Sequence, residues 1–530
     1  MLLLNGKIHT QDKNQPFAQA VLISGNKILA VGSNKEIQRL YSKNQKTIDL
    51  CGRLVLPGFI DSHFHFYEWA VNFDSVDLSK SISFENMMED LKLKVLETNK
   101  NDWILGYGFN ESDWAEKRMP TRHDLDIISP DNPVCIWRCD LHIGVANSNA
   151  LKLAAIDSKT MDPDQGRIEK DIFGKTTGVL RDLALNLIKD VLPVPENEKI
   201  LFNMESGISL LHKIGITSIH DIRLMGGLDG QQSLNAWQRL NEKNKLNIRC
   251  HVALPGENID KAVDLGLRTG FGDEKLKIGY LKFFADGGMG ARTAWMIEKY
   301  IDDEYGMPLT PVHDIENAVL KAEEVGLSVM VHAIGDRANK EIVSMFEKID
   351  KINPLRPKIP HRIEHVQMIR PDDLKRLSKL KNLVVSCQPN NIGLDISMIE
   401  TSVGEKSKYT YMLKTISDNG LPLILNSDAP VCDPNPFIGI YSAVTRKRLD
   451  KTPEHGWYID QALSVDQAVK GYTIIPAIAQ GMGKTLGSIT KGKYADIIVL
   501  DQDIYSIDIE NIADTKIEMT LFDGKIVYKK

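Results

Sequence analysis

The stretch Leu56-Pro57-Gly58-Phe59-Ile60-Asp61-Ser62-His63-Phe64-His65 ends an apolar run in two histidines separated by one residue. In a β-strand, side chains two positions apart share a face, so both imidazoles project to one side at the C-terminal end of the run. Two neutral imidazoles aimed at one point can hold a divalent metal. A His-x-His pair also suits two ordinary polar residues near a strand end, and only distant residues that complete a ligand set separate the two readings.

Residues of ligand type recur further along, each near the end of another apolar, strand-like segment. Lys282 lies in Tyr280-Leu281-Lys282-Phe283-Phe284-Ala285-Asp286-Gly287, His332 in Val329-Met330-Val331-His332-Ala333, His365 in Arg362-Ile363-Glu364-His365 and Asp428 in Leu425-Asn426-Ser427-Asp428. A lysine buried in a strand is unfavourable unless it is paired or modified. Carboxylation of its amine by CO2 would turn the cation into a carboxylate able to bridge two metals, which accounts for Lys282 in an apolar setting.

These segments belong to a regular series. After the opening strand, apolar runs of strand length fall at 216–221, 247–253, 278–286, 327–333, 362–366, 383–388 and 422–428, most followed by a stretch of helical periodicity. Eight such units predict an α/β fold, a (β/α)8 TIM barrel with its chemistry at the C-terminal strand ends. The interval from 66 to about 210 is too long for one connection and predicts an inserted subdomain over the mouth of the site, with a strand at 134–138 and a helix at 85–98. Within it, Gly106-Tyr107-Gly108-Phe109-Asn110 and Gly174-Lys175-Thr176-Thr177-Gly178 read as turn-rich pieces. Both chain ends carry short strands with turn signals, and Asn5-Gly6-Lys7-Ile8 is echoed by Asp523-Gly524-Lys525-Ile526. The economical organisation is a small composite β-sandwich from 1–56 and 485–530, flanking a barrel domain at 57–484.

Composition narrows the function class. The chain has 530 residues, 42% hydrophobic and 26% charged, with 65 basic against 71 acidic residues for a net charge of −6. That balance gives no basic face for nucleic acid or an anionic membrane surface. No apolar run reaches the roughly 18 residues of a transmembrane helix, and the start lacks a basic leader region, so the expected location is cytoplasmic. Six scattered cysteines make no disulfide framework, and Cys135 and Cys139 lack a second pair to complete a structural zinc site.

Taken in order, the motifs resemble those of the amidohydrolase superfamily and, within it, the YtcJ-like metal-dependent hydrolases of amidohydrolase family 3. The resemblance is carried by 57–65, by 282–287 with Gly290-Ala291-Arg292-Thr293-Ala294, and by His332-Ala333-Ile334-Gly335-Asp336-Arg337-Ala338. Residues 362–365, 426–428 and 486–496 continue it. It implies that His63 and His65 hold the buried metal, carboxylated Lys282 bridges, and His332 and His365 hold a second ion. Asp428 would touch a metal and act as general base. The implied cofactor is one or two divalent ions, zinc being the expected metal. The implied reaction is hydrolysis of an amide or other C–N bond of a small molecule, of N-acyl, N-formyl or cyclic amide type, by attack of a metal-bound hydroxide. A mononuclear deaminase and a non-catalytic ligand-binding barrel are the alternatives.

Further residues are candidates for substrate contact. His142 sits in a segment similar to a family Asp-Gly-His motif, with Leu141 in place of the glycine. His220 ends the second strand; Arg292 and Arg337 follow strand ends and could clamp a carboxylate bidentately; Gln388 closes the seventh strand. A structural role is the competing reading for each. Glu364, adjacent to His365 in a strand, is expected to point to the opposite face and bind across to a helix. A homodimer is the expected assembly.

Overall fold

The computed structural model describes residues 1–530 other than 41–45, 194, 225–228, 302–303 and 353–356. Eight parallel strands pair in sequential order: β1 (Phe59–Phe64), β2 (Ile216–Asp221), β3 (Arg249–Pro255), β4 (Leu276–Phe284), β5 (Val329–Ala333), β6 (His361–His365), β7 (Leu383–Cys387) and β8 (Leu423–Leu425). Beyond β8 the backbone closes the ring, with Asp428 N donating to the His63 carbonyl at 2.9 Å and His65 N to that of Ala429 at 2.8 Å. Helices including Gly230–Glu242, Val312–Val325, Asp336–Ile352 and Asn390–Val403 connect successive strands. This is the expected (β/α)8 barrel. β1, β2, β3, β5, β6 and β7 are buried along their whole length, because helices cover one face and the barrel interior the other.

The two chain ends supply two further sheets. Leu2–Leu4, Ala20–Ser24, Lys27–Gly32 and Thr47–Asp49 form one. The other joins both ends of the chain, Lys525–Lys529, Ile517–Phe522 and Ile497–Leu500 pairing on with Leu54–Pro57, Lys7–His9 and Phe17–Ala18. Leu3, Ile8, Val21, Ile23, Val55, Ile497, Val499 and Leu521 fill the space between them. The chain passes from Leu54–Pro57 of this sheet into β1 through Gly58 alone. A Cβ at that position would lie 2.2 Å from Thr217 Oγ1, so only glycine lets the strand enter the barrel against β2.

Between β1 and β2 the chain builds a six-stranded sheet in the order Gly166–Lys170, Thr176–Asp182, Ile143–Ala146, Val134–Arg138, Ile104–Phe109 and Val76–Asp77. The strand expected at 134–138 is present, and the helix expected at 85–98 runs Phe84–Glu97. The two glycine-rich pieces read as turns are instead largely strand. Gly178, at φ +94°, would place a Cβ 2.5 Å from the Ala146 carbonyl oxygen, so this glycine makes room for the neighbouring strand and does not end its own. Among the described residues, no helix is long and apolar enough to cross a membrane.

Candidate metal centre

Asp61 and His63 share the inner face of β1, as the two-residue period of a strand dictates, and His65 follows directly at its C-terminal end. Asp61 is used within the wall, accepting the Ser427 hydroxyl at 2.6 Å and so tying β1 to the end of β8. His63 and His65 converge on Asp428. His63 Nε2 and His65 Nε2 both lie 3.2 Å from Asp428 Oδ1. The His365 ring is centred 5.2 Å from that of His63 and 4.4 Å from that of His332. His63, His365 and Asp428 can present ligand atoms all within 4.8 Å of one another. His365 at φ +70° and Asp428 at φ +58° take left-handed backbone just as their strands end, which turns both side chains into the centre.

Each imidazole is fixed by a hydrogen bond on its outer nitrogen. His63 Nδ1 lies 2.6 Å from Glu364 Oε2, His65 Nδ1 3.1 Å from the Ile222 carbonyl, and His365 Nδ1 3.0 Å from Gln388 Oε1. His332 Nε2 lies 3.2 Å from the Gly287 carbonyl. All four partners are acceptors, so in a neutral ring the proton sits on the outer nitrogen and the other nitrogen keeps its lone pair. The consequence is sharpest at His63. Its Nε2 and Asp428 Oδ1 are buried, 3.2 Å apart, and neither has a hydrogen-bond partner among the described residues. Two facing lone pairs in a buried site are unfavourable unless a cation lies between them, and the donor set of imidazoles and a carboxylate suits zinc or a related divalent ion.

The electrostatics agree with this donor set. Burial holds the His63, His332 and His365 imidazoles well below their usual pKa, so they stand neutral and able to ligate. Burial also pulls the Lys282 ammonium down to about 8. Lys282 lines the same cavity, its Nζ 4.7 Å from the centre of the Phe284 ring. For Glu364, burial opposes the charge, but the Arg362 guanidinium and then Lys282 hold its carboxyl below the usual range.

The cavity above these groups has about 100 Å³ of open space. Leu141, Leu185, Phe284, Met289, Leu394 and Met398 make much of its wall apolar. The segment between β1 and β2 contributes His142, whose Nδ1 lies 2.7 Å from Asp182 Oδ1 and whose ring is centred 5.7 Å from that of His332. Burial works against a charge on His142, yet the hydrogen bond and charge of Asp182 outweigh it and raise its pKa.

The structure thus brings His63, His65, Lys282, His332, His365, Asp428 and His142 around one cavity. The other four candidates for substrate contact lie elsewhere. His220 sits inside the barrel, stacked on His251 with centroids 5.0 Å apart, where its Nδ1 accepts from Arg362 at 2.7 Å and its Nε2 meets Gln480. Gln388 is spent on His365 and on Asn426 Oδ1 at 2.8 Å. Arg292 packs over Tyr300, with its guanidinium 5.2 Å from the ring. Arg337, with a side chain 47% exposed, covers Trp295 on the outer surface. Glu364 also departs from expectation. It faces inward onto His63 and pairs with Arg362 at 2.7 Å, on the inner face it shares with Arg362 by ordinary strand alternation, and it is His365 that breaks the alternation through its left-handed turn. Sequence reasoning passed over Asp182 and Asp395, both of which line the cavity. Neither closes a barrel strand, and only an acidic residue on an otherwise apolar helical stripe marks Asp395.

Comparison with known proteins follows the same lines. The model described as amidohydrolase family matches residues 46–528. The chain belongs to the amidohydrolase family. It is similar to YtcJ of Bacillus subtilis (strain 168), 31% identical over 533 residues that cover 99% of this chain and 98% of that protein. It is similar also to the N-substituted formamide deformylase of Arthrobacter pascens, 26% identical over 551 residues, covering 100% and 98% respectively. Among solved structures, an uncharacterized metal-dependent hydrolase from Pyrococcus horikoshii OT3 superposes with a TM-score of 0.76 at 28% identity, covering 96% of this chain and 98% of that one. The amidohydrolase motifs at 57–65, 282–287, 332–338, 362–365 and 426–428 all fall inside the matched region.

Proposed function

We propose that this amidohydrolase cleaves an amide or related C–N bond of a small molecule with the help of one or two divalent ions, zinc being the expected metal. The observation that carries the reading is the facing pair of acceptors, His63 Nε2 and Asp428 Oδ1, which have no hydrogen-bond partner among the described residues and lie inside a set of four imidazoles whose outer nitrogens are all engaged. His63, His65, His332, His365 and Asp428 would hold the metal, with Lys282 as its carbamate completing the set. The lowered pKa of Lys282 supports this assignment, since only the neutral amine adds CO2. When bound, such ions supply an activated water and polarise a carbonyl. The likeness to an N-substituted formamide deformylase favours N-formyl and N-acyl compounds as the first substrates to test.

The chain's own residues then have separable tasks. Asp428, whose Oδ1 stands 3.2 Å from both His63 Nε2 and His65 Nε2 at the metal position, is placed to take a proton on its carboxylate and return it to a leaving amine. The apolar wall of Leu141, Phe284, Met289 and Met398 keeps bulk water from the reacting bond. His142, held by Asp182, stands beside His332 with ring centroids 5.7 Å apart and offers its other nitrogen to the substrate. Metal analysis of the purified protein is expected to find bound divalent ion, and a panel of N-formyl, N-acyl and cyclic amides is expected to include a hydrolysed member whose turnover stops with a chelator and returns with zinc. Metal-free protein with chelator-insensitive hydrolysis would overturn the reading.

A further inference from the structure

One face of the helix Asn390–Val403 looks into the cavity, through Asn391, Leu394, Asp395 and Met398 at the spacing of neighbouring helical turns. Leu394 and Met398 continue the apolar wall. Asp395 between them is a charge where the wall has no need of one. Its carboxylate is used on one side only. Oδ2 accepts Gln367 Nε2 at 2.7 Å and also the Tyr411 hydroxyl. Oδ1 receives no hydrogen bond from the described residues.

The cation nearest by charge, Arg138, does not answer it. Arg138 Nε is 2.9 Å from Glu111 Oε2, Nη1 is 2.6 Å from Asp140 Oδ2, and Nη2 donates to Asn110 and Ser112. Asp140 in turn is consumed by Arg138 and by the His142 backbone N–H at 3.0 Å. Burial accordingly pushes the Asp395 carboxyl up to about 6. A carboxylate oxygen that lines a cavity without a donor is an acceptor waiting for one, and a charge-assisted hydrogen bond is the strongest partner it can take.

We propose that Asp395 is a specificity-determining residue that binds a protonated amine at the end of the substrate remote from the scissile bond. The preferred substrates are then amides that carry a second, cationic amine, such as monoacylated diamines. The inference rests on the reading of this cavity as an amide-hydrolysing site, and it adds the substrate class. Lys189, which also lines the cavity and has no ion pair among the described residues, sets the competing expectation of a carboxylate-ended substrate.

The test uses metal-loaded full-length protein and three acetamides of matched chain length, ending in ammonium, methyl or carboxylate. Binding is read by thermal shift titration and hydrolysis by release of the amine, in parallel. The ammonium-ended compound is expected to bind at least about tenfold more tightly than its methyl isostere, the equivalent of one charge-assisted hydrogen bond. In Asp395→Asn that ratio is expected to fall to within about twofold of unity, and in Lys189→Ala it is expected to persist. Asp395→Ser, also uncharged, is to give the same outcome, so that the result does not depend on the folding of one variant. No ammonium preference in the wild type, a preference that survives in both Asp395 variants, or a carboxylate preference removed by Lys189→Ala would overturn the inference. An Asp395-dependent ammonium preference without hydrolysis of any compound sinks the proposed reaction and leaves the subsite standing. Hydrolysis without the preference does the reverse.

Discussion

Glu364 does for His63 what the Ile222 carbonyl does for His65, but with a charge. Its Oε2 accepts a hydrogen bond from His63 Nδ1–H at 2.6 Å while Arg362 grips the carboxylate at 2.7 Å, and Arg362 is itself steadied by His220. A charged acceptor behind an imidazole makes the ligating nitrogen more basic as well as fixing the ring. Glu364→Gln keeps an acceptor in place but removes the charge, and it is expected to weaken zinc binding by about 10- to 100-fold in a competitive chelator titration. Unchanged affinity would show that the carboxylate only fills space. Asp428→Asn is expected to keep more of its metal than of its turnover, because the amide oxygen can still ligate but cannot take the proton. Equal losses of metal and turnover would remove Asp428 from the role of base. At this scale the sequence is informative where chemistry and strand ends coincide, as at His63, His65, His332 and His365. It is silent where a ligand's support lies one residue off the expected face, as for Glu364, since nothing in Arg362-Ile363-Glu364-His365 announces the left-handed turn at His365. His220 illustrates the converse, a polar residue near a strand end whose side chain is taken up inside the barrel.

The elements that position these groups are held at their ends as well as along their ladders. Asp286, just past β4, accepts the backbone N–H groups of Ile334 at 3.0 Å and of Gly335 and Trp295 at 2.8 Å. One carboxylate thus joins the ends of β4 and β5 to the loop that carries Gly288, Met289 and Gly290 into the cavity wall. Asp286→Ala is expected to cost about 1–3 kcal/mol for a backbone donor left buried and unsatisfied, and to speed proteolytic cleavage between 287 and 301. A variant with wild-type melting and unchanged cleavage would mean that the loop is held by its other contacts. The eight barrel strands were legible because most are buried, largely apolar runs, several of which close on or just before a ligand-type side chain. The strands between β1 and β2 were mostly not, because Gly106, Gly108 and Gly178 read as turn signals although the chain stays extended around them. Their glycines answer to close neighbours, a relation that no local pattern encodes.

Across the whole molecule, the sheet shared by both chain ends is clasped to the barrel through Arg249 at the start of β3. Its guanidinium is bonded to Asp496 at 2.7 and 3.2 Å, meets Asp523 as well, and lies 3.9 Å over the Tyr494 ring. The pairing of the two ends was foreshadowed by the echo between Asn5-Gly6-Lys7-Ile8 and Asp523-Gly524-Lys525-Ile526. The clasp was not, since an arginine and two aspartates more than 240 residues away carry no mark of being partners. The clasp bears on the candidate metal centre because the same sheet contains Leu54–Pro57, which continues through Gly58 into the strand that carries His63 and leads to His65. Arg249→Ala leaves the buried Asp496 carboxylate without its cation, while the half-buried Asp523 keeps Lys275 at 3.8 Å, and is expected to cost about 3–5 kcal/mol in denaturant unfolding. Arg249→Lys is expected to recover only part of that loss, because a single ammonium cannot serve both carboxylates and stack on Tyr494 together. Lys243→Ala, which removes an exposed pair with Glu198 at 3.0 Å, is expected to change stability by no more than about 1 kcal/mol. If Arg249→Ala proved as mild as Lys243→Ala, the terminal sheet would be held by its apolar core alone. Faster zinc loss in Arg249→Ala than in Lys243→Ala would show that the clasp reaches the metal strand.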